Sequence, residues 1–345
     1  MRVLVTGGTG FVGAHAVSAL VRTSHDVRLF VRTRERIAPA LDRFRISDVD
    51  AVIGDITDEV SIDRALDGCQ AVLHAASSFS FDPRRRWEFG ATNLRGTENV
   101  LRAAVRHRVQ RVVHISSFAA LLPAGQRPLT PDTEPGSGGA PYSRSKAEQE
   151  RVARRLQQDG VPIIIVQPGA VFGPGDPHFG ESDQLVHAVL TGKLPIVPAG
   201  GIPIVDVRDL GECLARAIDL PPAPRRYLLG GTFTLVREIV TLLAQLTQRP
   251  LSARILPESL ILPLASVVET AARLVGMKPP VAREAPWITR QRATTDDTRA
   301  QRDLGFRARD LRETLAETVR SLFAAGRISR EQAGTLAAST RAIFA

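Results

Sequence analysis

The stretch TGGTGFVG, Thr6–Gly13, decides the fold. It follows directly on a short β-branched run, RVLVT (Arg2–Thr6), and opens into a helical pattern. Gly7, Gly10 and Gly13 stand at GxxGxxG spacing. Glycines in these places permit a tight turn, let backbone amides approach a pyrophosphate, and let the helix pack closely on the strand. The helix N-terminus then faces the negative charge. A glycine triplet alone is a weak sign, but one set between an N-terminal strand and a helix is strong. Gly7, Thr9, Gly10, Phe11, Val12 and Gly13 are therefore the expected dinucleotide-binding residues of this turn.

Outward from the turn, the first half of the chain alternates. DVRLFV (Asp26–Val31), DAVIG (Asp50–Gly54), AVLHAA (Ala71–Ala76), RVVHISS (Arg111–Ser117) and PIIIVQP (Pro162–Pro168) are apolar runs. Such runs suit strands buried on both faces of a parallel sheet. Helical patterns lie between them, clearest at Asn93–His107, where Leu94, Thr97, Leu101, Ala104 and Val105 share a face. Repeated βα alternation predicts an α/β fold, a Rossmann-type doubly wound parallel sheet.

The expected domains are 1–170, which binds the dinucleotide, and 171–345, a smaller and mostly helical substrate domain. Segments such as 203–232 are expected to return to the first domain. Helices are expected near Glu181–Leu190, from Asp209 and from Leu235, with strands at PIVDV (Pro203–Val207) and RRYLLG (Arg225–Gly230). Glu258–Met277 is the most apolar helical stretch. Its Pro263, Glu269 and Arg273 favour a core helix or a lid over a membrane-touching surface. Ser329 and Gln332 form a capping-box pattern that predicts a final helix.

The second strand ends in Val31-Arg32-Thr33-Arg34. An NAD site usually sets Asp or Glu about 20 residues after the glycines, to accept from the ribose 2′-hydroxyl. Arg32 cannot accept that bond but can grip a 2′-phosphate with Arg34 beside it. The expected cofactor is therefore NADP(H) in preference to NAD(H). Asp55 in GDITD either meets the adenine or caps the segment that follows, with Ile56 beside it.

Tyr142, one of only two tyrosines, stands four residues before Lys146 in PYSRSK (Pro141–Lys146). At i,i+4 the two share a helical face. A tyrosine of unperturbed pKa ~10 is a poor base at neutral pH, and an adjacent ammonium with a cationic nicotinamide would favour its phenolate. YxxxK by itself is common. Here, however, the preceding strand ends in Ser116 and Ser117, the latter 25 residues upstream of the tyrosine. That edge is where such sheets bind ligands. A serine there would hold a carbonyl oxygen while Tyr142 exchanges a proton with it. The Gly- and Pro-rich loop Leu122–Pro141 reads as a flexible flap beside the substrate.

Bulk composition narrows the classes. With 43% hydrophobic and 23% charged residues, the 345-residue chain is ordinary for a soluble globular protein. The net charge of +9 comes mostly from scattered arginines, and with 5% aromatics no nucleic-acid partner is expected. No apolar run reaches the ~18 residues of a membrane span, and weak membrane contact stays open. MRVLVTGG turns straight into motif, so no leader peptide is expected. Cys69 and Cys213 are far apart and without CxxC neighbours, so neither a disulfide nor a metal site is expected, and a reducing cytoplasm fits.

At this point the chain resembles the short-chain dehydrogenase/reductase superfamily of the extended type, the NAD-dependent epimerase/dehydratase group, over roughly residues 1–325. TGGTGFVG, HAAS, NLRGTENV, HISS, PYSRSK, QPGAVFGPGD, VDVRDL and DDTRAQRDLGF follow one another as in that family. The resemblance implies Ser117 as the catalytic serine, with Ser116 the less favoured choice, and Tyr142 as general acid/base. It implies that Lys146 bonds the nicotinamide ribose and depresses the tyrosine pKa. It also implies nicotinamide contact for Pro168, Gly169 and Val171, and pyrophosphate or ribose contact for Ala75, Ala76 and Ser77. Asn93 matches the asparagine that opens the fourth helix, a more structural part. A homodimer through helices 93–107 and 142–157 is implied too, although their apolar faces are also needed by the sheet. Gln70 and Gln167 stand where the family more often has Asp and Arg.

Sugar-nucleotide members usually carry an arginine ahead of the strand that PAGGIPIVDVRDL (Pro198–Leu210) matches, and none stands there. VDVRD and the Val31-Arg32 ending instead resemble dihydroflavonol reductases and 3β-hydroxysteroid dehydrogenases. Phe79, Phe81, Phe172 and Phe179 are candidate walls of an apolar pocket. The expectation is an oxidoreductase that moves a hydride between NADP(H) and a small, apolar ketone, aldehyde or secondary alcohol. The alternatives are a sugar-nucleotide epimerase or dehydratase, and a non-catalytic dinucleotide-sensing protein.

Overall fold

The apolar runs of the first half become strands β1 (Arg2–Thr6), β2 (Asp26–Val31), β3 (Asp50–Ile53), β4 (Ala71–His74), β5 (Arg111–Ile115) and β6 (Ile163–Pro168). The second half adds β7 (Ala170–Phe172), β8 (Ile196–Pro198), β9 (Gly201–Asp206), β10 (Arg225–Leu229), β11 (Thr232–Leu235) and β12 (Arg254–Leu256). The helices are α1 (Phe11–Arg22), α2 (Ile37–Leu41), α3 (Glu59–Leu66), α4 (Arg86–Arg106), α5 (Pro141–Gln158), α6 (Glu181–Leu190) and α7 (Val207–Asp219). They continue with α8 (Val236–Thr247), α9 (Glu258–Leu274), α10 (Glu284–Arg290), α11 (Thr298–Leu304), α12 (Leu311–Ala324) and α13 (Arg330–Ala333). This computed structural model describes residues 1–77, 86–123, 128–274 and 283–338.

A seven-stranded sheet runs in the order β10-β6-β5-β4-β1-β2-β3 among the described residues, all strands parallel. This is the doubly wound sheet that the alternation predicts. Strand order reverses between β1 and β4, where Val3 pairs with Val27 on one side and Ala71 on the other. At that switch the crossovers leave to opposite faces, and in open sheets of this kind ligands bind beyond the C-terminal strand ends there. One face is covered by α1, α7 and α11 through Val17, Leu20, Leu210, Leu214, Leu304 and Phe306. The other is covered by α3, α4 and α5 through Ile62, Leu101, Ala104 and Val152.

A second core gathers α6, α8 and α12 over the three-stranded sheet β11-β9-β7, around Val186, Ile239, Leu243, Leu315 and Val319. The chain crosses between the two cores repeatedly: β10 extends the large sheet, and α11 packs on it.

Several expectations change. The fourth helix begins at Arg86, so Asn93 lies two turns inside it rather than opening it, and is buried. PIVDV does form a strand, β9, but in the small sheet. The Ser329–Gln332 capping box is present, yet α13 stops at Gly334 after a single turn and continues as a 3-10 turn. The loop before α5 is pinned where it is described. Leu122 and Leu129 are fully buried, and Leu129 exchanges backbone bonds with Thr294 and Asp296. Phe172 belongs to the second core and Phe179 packs on His187 and Arg327, while Phe79 and Phe81 lie outside the described residues.

Candidate active site

The expected site residues leave the sheet at one edge: the turn after β1, Arg32 after β2, Asp55 after β3, Ala75–Ser77 after β4, Ser116 and Ser117 after β5, and Pro168 at the end of β6. Gly7 has φ +72, and a Cβ there would meet the Ala76 amide nitrogen at 2.6 Å. A Cβ on Gly13 would meet the Gly7 carbonyl oxygen at 2.0 Å, so the helix sits on the turn only without one. Gly10 begins α1 with no side-chain cap, leaving the amides of the first turn to an incoming anion. Ser77 Oγ is buried and finds no partner among the described residues, as suits a group reserved for a polar ligand. These features fit a dinucleotide. Ile56 packs half-buried against Gly96 of α4.

Arg32 and Arg34 are exposed where a ribose 2′-substituent would arrive. Arg34 donates to the Ala51 carbonyl at 3.1 Å, whereas Arg32 makes no hydrogen bond or ion pair among the described residues. Asp55 neither caps α3, which Asp58 does, nor is fully free. One oxygen accepts from Thr57 N at 2.8 Å and Thr57 Oγ1 at 2.7 Å. Burial works against its charge, but the Thr57 bonds and Arg32 hold the carboxyl below its ordinary pKa.

Ser117, Tyr142 and Lys146 come together. Ser117 Oγ accepts from Ala119 N at 3.1 Å, which caps a 3-10 turn, and pairs with the Tyr142 hydroxyl. Burial pushes the Tyr142 pKa up to about 12; Ser117 pulls it down and Glu284 raises it. Lys146 is buried, and its Nζ donates to the Ile115 carbonyl at 3.5 Å. Burial brings its pKa down to about 8, with Glu150 pulling the other way. Ser116 faces elsewhere: its hydroxyl donates to the Glu150 carboxylate.

Three features escaped the sequence reading. Glu150, fully buried on α5, is held by Ser116, by Arg154 at 2.6 and 2.9 Å and by Gln167 Nε2 at 2.5 Å. Gln167 comes from β6 and Arg154 from the next turn of α5, so the carboxylate joins the sheet to its helix. His74 and His114 stack in register beneath α5 with centroids 5.3 Å apart, and burial drives both imidazoles toward the neutral form. Glu284, from α10, accepts from the first-turn amides of Tyr142 and Ser143. Ala140 offers α5 no side-chain cap, so the missing acceptor was the only hint in the sequence.

Residues 3–230 match the model of the NAD dependent epimerase/dehydratase family. The chain belongs to that family. Its relatives include a putative dihydroflavonol 4-reductase of Synechocystis, 30% identical over 323 residues, which are 91% of this chain and 92% of that one. Sterol demethylase protein B of Methylococcus capsulatus is 29% identical over 323 residues, covering 92% and 97%. Among solved structures, gox2253 superposes with a TM-score of 0.80 at 27% identity, covering 95% of this chain and 99% of that one. The epimerase/dehydratase match takes in every expected site residue but stops before α9 and α10, so Glu284 lies beyond it.

Proposed function

We propose that the protein is an NADP(H)-dependent oxidoreductase acting on a ketone or aldehyde, or in reverse on a secondary alcohol, of apolar character. The observation that carries this reading is the pairing of the Tyr142 hydroxyl with Ser117 beside buried Lys146, at the sheet edge that holds the dinucleotide turn. A bound nicotinamide supplies or takes the hydride at its C4. Ser117 holds the substrate oxygen, and Tyr142 gives that oxygen its proton. With its pKa pushed up to about 12, Tyr142 is a phenol throughout the neutral range and serves as the acid of reduction. Lys146 lies one helical turn away, where its ammonium bonds ribose hydroxyls.

The cofactor preference rests on Arg32, an exposed guanidinium with no hydrogen bond or ion pair among the described residues, at the place where NAD sites usually carry an acid. Gly7, Thr9, Gly10, Phe11, Val12 and Gly13 hold the pyrophosphate, and Ala75, Ala76 and Ser77 flank it. Pro168, Gly169 and Val171 face the nicotinamide. A dimer through α4 and α5 completes this reading, and a monomeric mass in light scattering would remove that part.

NADPH oxidation across a panel of apolar ketones, aldehydes, steroids and sugar nucleotides tests the assignment; turnover of the carbonyl compounds is expected. The family's own description favours a second reading, a sugar-nucleotide epimerase or dehydratase. UDP- or dTDP-sugars that raise the melting temperature while carbonyl compounds leave NADPH untouched would replace the first reading with the second.

A further inference from the structure

Helix α9, which packs against α10, shows large apolar side chains to solvent. Surface helices ordinarily turn charge outward and apolar side chains inward. On α9, Leu260, Leu264 and Val267 are 58%, 47% and 67% exposed, at i, i+4 and i+7 on one face. Pro263 and Ala271 are exposed on the same side, and Ile255 just ahead of the helix is exposed too. The opposite face buries Ile261, Ala265 and Glu269.

Charge is sorted as well. Every acid of residues 254–293 turns inward among the described residues: Glu269 accepts from Arg283 N at 3.3 Å, Glu284 caps α5, and Glu258 points at Gly200. The bases Arg254, Arg283, Arg290 and Arg292 are exposed, and none pairs with an acid among the described residues. Arg292 reaches only the Ala199 carbonyl, at 3.0 Å. An apolar stripe and exposed arginines without acid partners in the same segment suit the two layers of an anionic membrane interface, acyl boundary and headgroups. A second copy of the chain fits poorly, because pairing two such segments brings together arginines with no exposed acid to meet them.

We propose that the α9–α10 pair seats the protein on an anionic bilayer, with Leu260, Leu264 and Val267 in the acyl boundary and the four arginines among the headgroups. The inner side of this pair carries Trp287 and Ile288 to the cluster that includes Tyr142, so the seat brings the candidate site close to lipid-dissolved molecules. The docking itself does not depend on which reaction Tyr142 performs.

Flotation of the full-length protein with vesicles tests it. Binding is expected to phosphatidylcholine vesicles containing phosphatidylglycerol, not to phosphatidylcholine alone, and is expected to fall as salt rises from about 0.1 to about 0.5 M. The L260S/L264S/V267S variant should bind at least about tenfold more weakly, while keeping its melting temperature and its stabilisation by NADPH. R254Q/R290Q/R292Q, which leaves the apolar stripe intact, should show a loss of similar order. No flotation of the wild-type protein, or flotation of either variant as strong as that of the wild type, overturns the proposal. So does a dimer in light scattering that the triple serine variant splits, which would make the stripe a contact between copies.

Discussion

Glu284 accepts the backbone N–H of Tyr142 at 3.3 Å and that of Ser143 at 3.1 Å, reaching back across 142 residues to cap the helix that carries Tyr142 and Lys146. The same carboxylate raises the Tyr142 pKa, after burial. Glu284→Gln keeps an acceptor but removes the charge. The phenol should then ionise at lower pH, and the basic limb of kcat/KM for reduction should move down with it. Glu284→Ala should in addition lower stability by about 1 kcal/mol through the lost cap. A basic limb that stays in place in the glutamine variant would leave Glu284 a structural cap and nothing more.

Tyr142→Phe removes the proton donor and little else. Turnover should fall by roughly 10²–10⁴-fold. NADPH binding, followed by fluorescence titration, should be retained.

The two serines should separate. Ser117→Ala takes away the hydroxyl paired with Tyr142, and kcat should fall by roughly 10²-fold with little change in melting temperature. Ser116→Ala instead leaves the buried Glu150 carboxylate one donor short, at a cost of about 1–3 kcal/mol in stability. Its turnover should stay near wild type. The reverse pattern in melting and steady-state rates would exchange their roles.

Arg32→Ala should raise the Kd for NADPH by about tenfold or more, the worth of one charge-assisted contact, and barely touch that for NADH. Equal losses for both cofactors would show that Arg32 does not read the 2′-phosphate.

Buried imidazoles make the fold sensitive to acid. Burial holds the pKa of His15 at about 4 and of His74 at about 3, and pushes that of His114 well below its ordinary value. Unfolded, these groups titrate near ~6.5, so below that pH the unfolded chain binds more protons and stability falls. The urea midpoint should therefore drop as pH goes from about 7 to about 5. His114→Phe, which removes one of the three groups, should flatten that slope.

The first half of the fold was legible because runs of β-branched residues suit parallel strands, and TGGTGFVG marked where the sheet begins. Tyr142 and Lys146 were legible through their i,i+4 spacing on α5. Phe172 was misplaced in a pocket, because an apolar residue at a strand end looks the same whether it faces a ligand or a second core. The start of α4 was missed because Arg86–Ala91 carries no apolar periodicity like that of Asn93–His107.

What the sequence determined by itself is local: which segments pair as strands, where the glycine turn falls, and which two side chains share the catalytic helix. These follow from periodicity and from backbone freedom, which act over a few residues. The tertiary structure brought Ser117 to Tyr142, as the resemblance implies, and alone decided that Ser116 turns to Glu150, that Arg154 and Gln167 both hold that carboxylate, and that Glu284 caps the catalytic helix. Those pairings join residues 25 to 142 apart in the chain or depend on which way a buried side chain turns. A carboxylate buried on a helix needs partners, but its own stretch of sequence does not say which of them will arrive.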